Sequence, residues 1–244
     1  MNLTILPDAE TIAATALAAW ERDATAAVEA RGAFRVLLSG GSTPRKLFHL
    51  LASAPHDALP WDATHLFWGD ERSVGPDHPD SNYRMTREAL LDAIGLPPAQ
   101  VHRLEGERAD LDGAARDYEH VVAEAFDIPL DSPPPAFDLV LLGLGTDAHT
   151  ASLFPHTAAL AERRRWFVTN DVPQLATRRL TATYPLLNAA RAILFLVAGA
   201  DKANALARVR APSGDVADAP ARGIRPAGTL EWLIDAAAAA AAST

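Results

Sequence analysis

Residues 137–155 read FDLVLLGLGTDAHTASLFP, and the first six of them decide the fold. They form a short, nearly continuous apolar run, the pattern of a strand covered on both faces rather than one. Gly143 and Gly145 end it. Three other runs share this character, at 34–39, 64–68 and 192–197, each bounded by Gly, Pro or Asp. Shorter strand candidates lie at 166–169 and 180–184. Between the runs, helical periodicity predicts helices at 8–30, 44–52, 81–94, 110–126, 202–209 and 229–242. Pro44 and Ser81 are good helix-start residues. Strands alternating with helices predict an α/β fold, a mostly parallel Rossmann-like sheet in three α/β/α layers.

Nothing in the chain demands a second domain. The prolines of 131–135 read as a rigid loop entering the strand at 137–142, because that strand needs neighbours. Residues 211–221 read as a surface loop, and the alanine run 236–242 as a good helix former. With 49% hydrophobic residues in 244, there is ample material for one core, and residues 1–244 are expected to form a single domain.

A net charge of −9 argues against a nucleic-acid partner, which needs a basic face. The densest basic run, Arg163, Arg164 and Arg165, is explained as a solvated helix end. The absence of cysteine excludes disulfides, thiol nucleophiles and cysteine-ligated metals. The alanine-rich stretch 12–30 is broken by Glu21, Arg22, Asp23 and Glu29, so no membrane partner is expected and the location is read as cytoplasmic.

An acidic protein with an anionic substrate must gather its few cations in the site. Ligands in such sheets bind beyond the carboxyl ends of the strands. After the first strand comes Ser39-Gly40-Gly41-Ser42-Thr43-Pro44, then a helix: flexible glycines, hydroxyl donors and a helix N-terminus suited to phosphate. It lacks the Gly-Lys-Ser/Thr ending of a Walker A loop and the third glycine of a dinucleotide fingerprint. A plain strand-to-helix turn is its structural alternative. After the second strand, Gly69-Asp70-Glu71-Arg72 reads as a site segment or as an ion pair or helix cap. After the third, Asp147 and His149 stand two residues apart in a glycine-rich loop, where histidine can move a proton near neutral pH. No second ligand sits at zinc-motif spacing, so no metal and no cofactor are expected. Arg179 and Lys202 could close over a phosphate, or be surface charges.

These segments, in this order, resemble the 6-phosphogluconolactonase family, part of a larger group that includes glucosamine-6-phosphate deaminases. The matching stretches are LSGGSTPRKLF from Leu38, FWGDERSVGPDHPDSNYRMTREALL from Phe67, FDLVLLGLGTDAHTASLFP from Phe137, TATYPLLNAARAILFLVAGADKANAL from Thr181 and RPAGTLEWLID from Arg225. The resemblance implies hydrolysis of 6-phospho-D-glucono-1,5-lactone in the oxidative pentose phosphate pathway. It implies that Gly41, Ser42, Thr43, Arg179 and Lys202 hold the phosphate, with Arg178 the alternative to Arg179. His149 would be the base, Asp70 and Arg72 would line the sugar side, and Arg72 with the 143–145 turn would stabilise the oxyanion. Asp147 or Asp70 would support the imidazolium.

The chain departs from the family at Ala148, where glycine is usual, and at Gly75, where proline is. A left-handed backbone at Ala148 would cost of order 1 kcal/mol. A deaminase-isomerase would need a carboxylate soon after the histidine, where Ser152-Leu153-Phe154-Pro155 stands instead. A non-catalytic sugar-phosphate binder could keep the phosphate loop and lose the base, yet His149 and Asp70 are both present.

Overall fold

The four continuous apolar runs do become neighbouring strands. The computed structural model describes residues 2–240. Its strands are β1 (Asn2–Leu6), β2 (Phe34–Leu38), β3 (Thr64–Trp68), β4 (Asp70–Arg72), β5 (Val101–His102), β6 (Leu139–Leu142), β7 (Phe167–Val172), β8 (Thr177–Ala182), β9 (Ala192–Val197) and β10 (Thr229–Asp235). Seven of them form one parallel sheet, in the order β1-β10-β9-β6-β2-β3-β5. The central strands are buried along almost their whole length, which is why their sequences do not alternate.

Helices flank this sheet. They are α1 (Ala9–Arg31), α2 (Ser42–Ser53), α3 (Asn82–Thr86), α4 (Asp92–Ile94), α5 (Leu111–Ala125), α6 (Tyr184–Asn188), α7 (Ala203–Arg210) and α8 (Ala236–Ala239). Helix α1 starts where Asp8 accepts the Thr11 N–H at 2.8 Å and stops at Gly32 in the left-handed region. Its alanine-rich face lets it lie close to the sheet, with Trp20 edge-on to Phe34 at 5.3 Å. Helix α5 is fastened by the Tyr118 hydroxyl, which accepts from the Trp68 N–H and donates to the His102 carbonyl.

Three expectations are corrected. The helix predicted over 229–242 is strand β10 as far as Asp235; only Ala236–Ala239 is helical, and 241–242 lie outside the described residues. The Asp235 side chain accepts the Ala238 N–H at 2.7 Å, so the helix start sits inside the stretch predicted as helix. The single helix expected over 81–94 is capped by Ser81 as predicted, but a π-helical turn at Arg87–Leu91 separates α3 from α4. The short strands near 166 and 180 belong to a second, antiparallel sheet of order β4-β8-β7. Tyr184 opens α6 instead of ending a strand.

Sheet topology fixes where a ligand goes. From β2 the chain proceeds to β3 and β5 on one side, then returns to β6 on the other and continues outward through β9 and β10. The direction of winding therefore reverses between β2 and β6, and their carboxyl ends flank a crevice. The antiparallel sheet follows directly from β3 through Gly69 and stands over that edge.

The segment after β3 is held by a buried carboxylate. Glu71 accepts the N–H groups of Arg72, Asn82 and Tyr83, each at 2.8 Å, and the Ser81 hydroxyl at 3.0 Å. Burial pushes its carboxyl up, against the backbone donors that favour the anion. Of the two readings of the Gly69–Arg72 segment, Glu71 takes the structural one: it caps α3. Glu71→Ala leaves three N–H groups without an acceptor. It is expected to lower unfolding free energy by about 3 kcal/mol, read from urea denaturation with an unchanged m-value.

Candidate active site

The loops beyond β2, β3, β6 and β9 surround one cavity of about 350 Å³, within the range of small-molecule sites. Gly41, Ser42, Thr43, Asp70, Arg72, His149, Arg179 and Lys202 all line it. Asp147 sits behind His149. These residues, drawn from four separate loops, thus meet at one end of the sheet.

Helix α2 presents its N-terminus to this cavity. Gly41 is the cap, at φ +115°, a conformation closed to most L residues, and no side chain caps the helix. By contrast, α1, α3, α5 and α8 are capped by the side chains of Asp8, Ser81, Asp110 and Asp235. The first turn of α2 contains no acidic residue. Its N–H groups and partial positive charge therefore face the cavity with the hydroxyls of Ser42 and Thr43.

Arg72 and Arg179 are register partners across β4 and β8. The Nε atom of each is buried without a hydrogen-bond partner. Burial, then the charge of Arg72, pushes the Arg179 guanidinium below its usual range. Arg178, one residue earlier, turns away and pairs with Asp171 at 3.0 Å, so Arg179 is the arginine that lines the cavity. Lys202 stands at the end of a short 3-10 turn leading into α7 and contacts Asp201 at 3.0 Å.

The His149 ring is set by its own loop. Its Nδ1 lies 2.5 Å from Asp147 Oδ1, and the same oxygen accepts the His149 backbone N–H at 3.0 Å. An ionised carboxylate only accepts, so Nδ1 carries a proton, and in the neutral ring Nε2 then has the free lone pair. Burial works to raise the Asp147 carboxyl, but the hydrogen bond and charge of His149 hold it below its ordinary value. Of the two aspartates considered for His149, Asp147 makes the contact. Asp70 is engaged elsewhere, accepting from the Ser152 hydroxyl at 2.7 Å and the Asn82 amide at 3.2 Å. Ala148 is indeed left-handed, at φ +70°, and fully buried.

One expectation about the 143–145 turn narrows. The Gly145 N–H is already donated to the His149 carbonyl at 2.8 Å and is not free for an oxyanion. Ser152, Asn82 and Phe154 also border the cavity, though the sequence reading gave them no role. Asn82 and Ser152 orient Asp70 from positions 12 and 82 residues away, contacts no local pattern encodes. The stretch after His149, where a deaminase would need a carboxylate, holds Ser152 and Phe154 instead. Among the described residues, no three His, Cys, Asp or Glu side chains are grouped to hold a metal, and no helix is long and apolar enough to cross a membrane.

A side chain at Gly145 would put Cβ 2.0 Å from His149 Nδ1 and 2.7 Å from Asp147 Oδ1. Gly145→Ala is therefore expected to break that pair while the protein stays folded. The low-field proton resonance of the His149 Nδ1–H should vanish from the NMR spectrum; its persistence would contradict the geometry.

Comparison with known proteins gives the following. Residues 7–232 match the family model described as glucosamine-6-phosphate isomerases/6-phosphogluconolactonase. The chain is 48% identical over 211 residues to a 6-phosphogluconolactonase of Synechocystis sp., covering 86% of this chain and 85% of that one. It is 45% identical over 242 residues to a 6-phosphogluconolactonase of Nostoc sp., covering 98% and 97%. A solved 6-phosphogluconolactonase from Trypanosoma cruzi superposes with a TM-score of 0.87 at 26% identity, covering 100% of this chain and 97% of that one.

Proposed function

The chain belongs to the glucosamine-6-phosphate isomerase/6-phosphogluconolactonase family, and from that membership we propose that it hydrolyses 6-phospho-D-glucono-1,5-lactone to 6-phospho-D-gluconate in the oxidative pentose phosphate pathway. The observation that carries this reading is a histidine, keyed at Nδ1 by Asp147, in one cavity with a helix end that has no side-chain cap and two guanidiniums whose Nε atoms have no partner among the described residues.

In the proposed reaction the phosphate lies at the start of α2, on Gly41, Ser42 and Thr43, with Arg179 and Lys202 closing over it. That anchors the lactone so that C1 faces His149. Neutral His149 takes a proton through Nε2 from a water as the water oxygen attacks C1. Arg72 stabilises the oxyanion of the tetrahedral intermediate. The intermediate collapses with cleavage of the bond from C1 to the ring oxygen, and the imidazolium returns its proton to that oxygen. Asp147 stabilises the imidazolium while it exists. Asp70, held by Ser152 and Asn82, offers its carboxylate to a sugar hydroxyl. The lactone carbonyl is already electrophilic, so the scheme calls on no metal or nucleotide, and activity should survive a chelator.

His149→Asn is expected to lower the catalysed rate by about 10²–10⁴-fold with substrate binding largely kept. Near-normal turnover in His149→Asn would move the role of base to a carboxylate, with Asp70 first in line.

The phosphate site has its own test. Thr43→Ala and Lys202→Ala should raise KM, and the unphosphorylated lactone should be a much poorer substrate, because binding energy at the remote phosphate positions the reacting carbonyl. Equal kcat/KM for the phosphorylated and free lactones would refute this part. The assay reads lactone loss against the spontaneous rate, with glucosamine 6-phosphate deamination measured alongside.

A further inference from the structure

His149 is gripped from two directions. Asp147 holds the edge of the ring at Nδ1. Phe154 covers a face, with ring centroids 4.0 Å apart and planes 24° from parallel. Phe154 is buried, borders the cavity and has no polar atom, so the proposed proton transfers leave it unexplained.

Its position is enforced. Residues 150–153 make a tight turn, closed by the Leu153 N–H donating to the Thr150 carbonyl at 3.0 Å. Ala151, the turn's second residue, sits at φ +46°, a strained conformation for a residue with Cβ. Two side-chain hydroxyls help fasten the turn. The Thr150 hydroxyl donates to the Gly143 carbonyl at 2.9 Å, and the Ser152 hydroxyl donates to Asp70. The chain is thereby folded back so that Phe154 lands on the histidine. A leucine could fill much of the same volume. A flat ring does two further things. It restricts rotation of the imidazole about its last torsion, which is intrinsically broad. Its electron-rich face also favours a cation lying against it.

We infer that Phe154 is a positioning residue: its ring fixes the plane of His149, so that Nε2 stays aimed at the attacking water, and its π face steadies the imidazolium formed when the proton is taken. This rests on the reading of His149 as base.

The test compares purified Phe154→Leu and Phe154→Tyr with wild type. In the leucine variant kcat should fall about tenfold with KM within about twofold, because orientation rather than substrate contact is lost. The tyrosine variant should recover most of kcat. In proton NMR, the His149 ring resonance should move downfield in the leucine variant as the stacked ring current disappears. Wild-type kcat in a folded leucine variant, or an unmoved His149 resonance, overturns the inference. Should the leucine variant fail to fold, Phe154→Met carries the same two readouts. Full turnover in His149→Asn would overturn the base and the catalytic part of this inference with it. The NMR displacement does not depend on turnover, so the two failures are told apart.

Discussion

One buried hydrogen bond ties the active site together. The Ser152 hydroxyl donates to Asp70 Oδ2 at 2.7 Å across 82 residues of chain. It joins the segment leaving β3 to the loop leaving β6. The Ser152 N–H donates to the Thr181 hydroxyl, and Thr181 is the register partner of Asp70 in the antiparallel sheet. The Ser152 carbonyl accepts from the Asn170 amide, on the outer strand of that sheet. Asp70 is only 7% exposed, and a carboxylate so placed costs several kcal/mol unless donors meet it. Ser152 and Asn82 meet it. In so buried a setting each of these contacts is electrostatically stronger than it would be in water. Three walls of the cavity are therefore fixed by one cluster.

The same economy governs charge. The protein carries nine more negative than positive side chains, yet an anionic ligand responds mainly to what lies within a Debye length, about 8 Å at physiological salt. Near the cavity three carboxylates other than Asp70 are diverted. Glu71 turns its oxygens to the start of α3, Asp147 is keyed to His149, and Asp201 contacts Lys202. Arg72 and Arg179 are left side by side, their Nε atoms without partners. Two like charges in that setting repel, and the two anions of the proposed reaction, the phosphate beside Arg179 and the oxyanion beside Arg72, would relieve the repulsion. Net acidity and an anion site are thus compatible, because the sign of the site is set locally.

The strands that build the crevice were legible because burial on both faces leaves a sequence almost no polar positions, as at Phe34–Leu38 and Ala192–Val197. Strand β10 was not. Its TLEWLID runs without a break into an alanine tract whose helix propensity extends the apparent helix backward. The signal against this was Asp235, a residue that starts helices, just before the alanines. Strand β1 escaped notice because it lies at the sheet edge and is half exposed, so its residues carry little core pattern. The Asp70–Arg72 strand is three residues long and is defined by its partner β8, which no local pattern identifies. In the site, His149 and Asp147 were legible because they are neighbours in the chain. Asn82, Ser152 and Phe154 were not, because their roles depend on contacts that exist only after folding.

Ala148 shows why a departure from the family's usual residue can still serve the site. Asp147 Oδ1 accepts both the backbone N–H and the ring Nδ1 of His149, which requires the chain to double back between them. The residue between is left-handed at φ +70°. An alanine there is strained by about 1–2 kcal/mol relative to glycine. Two effects work the other way. Glycine loses more backbone freedom on folding, a difference of roughly 0.5–1 kcal/mol. The methyl group is also fully buried, worth about 0.8 kcal/mol by the usual scale for a carbon removed from water. The opposing terms agree to within about 1 kcal/mol. The conformation is further held by the Ala148 N–H donating to the Gly145 carbonyl and the Ala148 carbonyl accepting from the Ala221 N–H. Glycine is thus the easy residue at this bend and not a necessary one: the reversal is imposed by hydrogen bonds on both sides, and the methyl group adds packing behind the histidine that the loop is built to present.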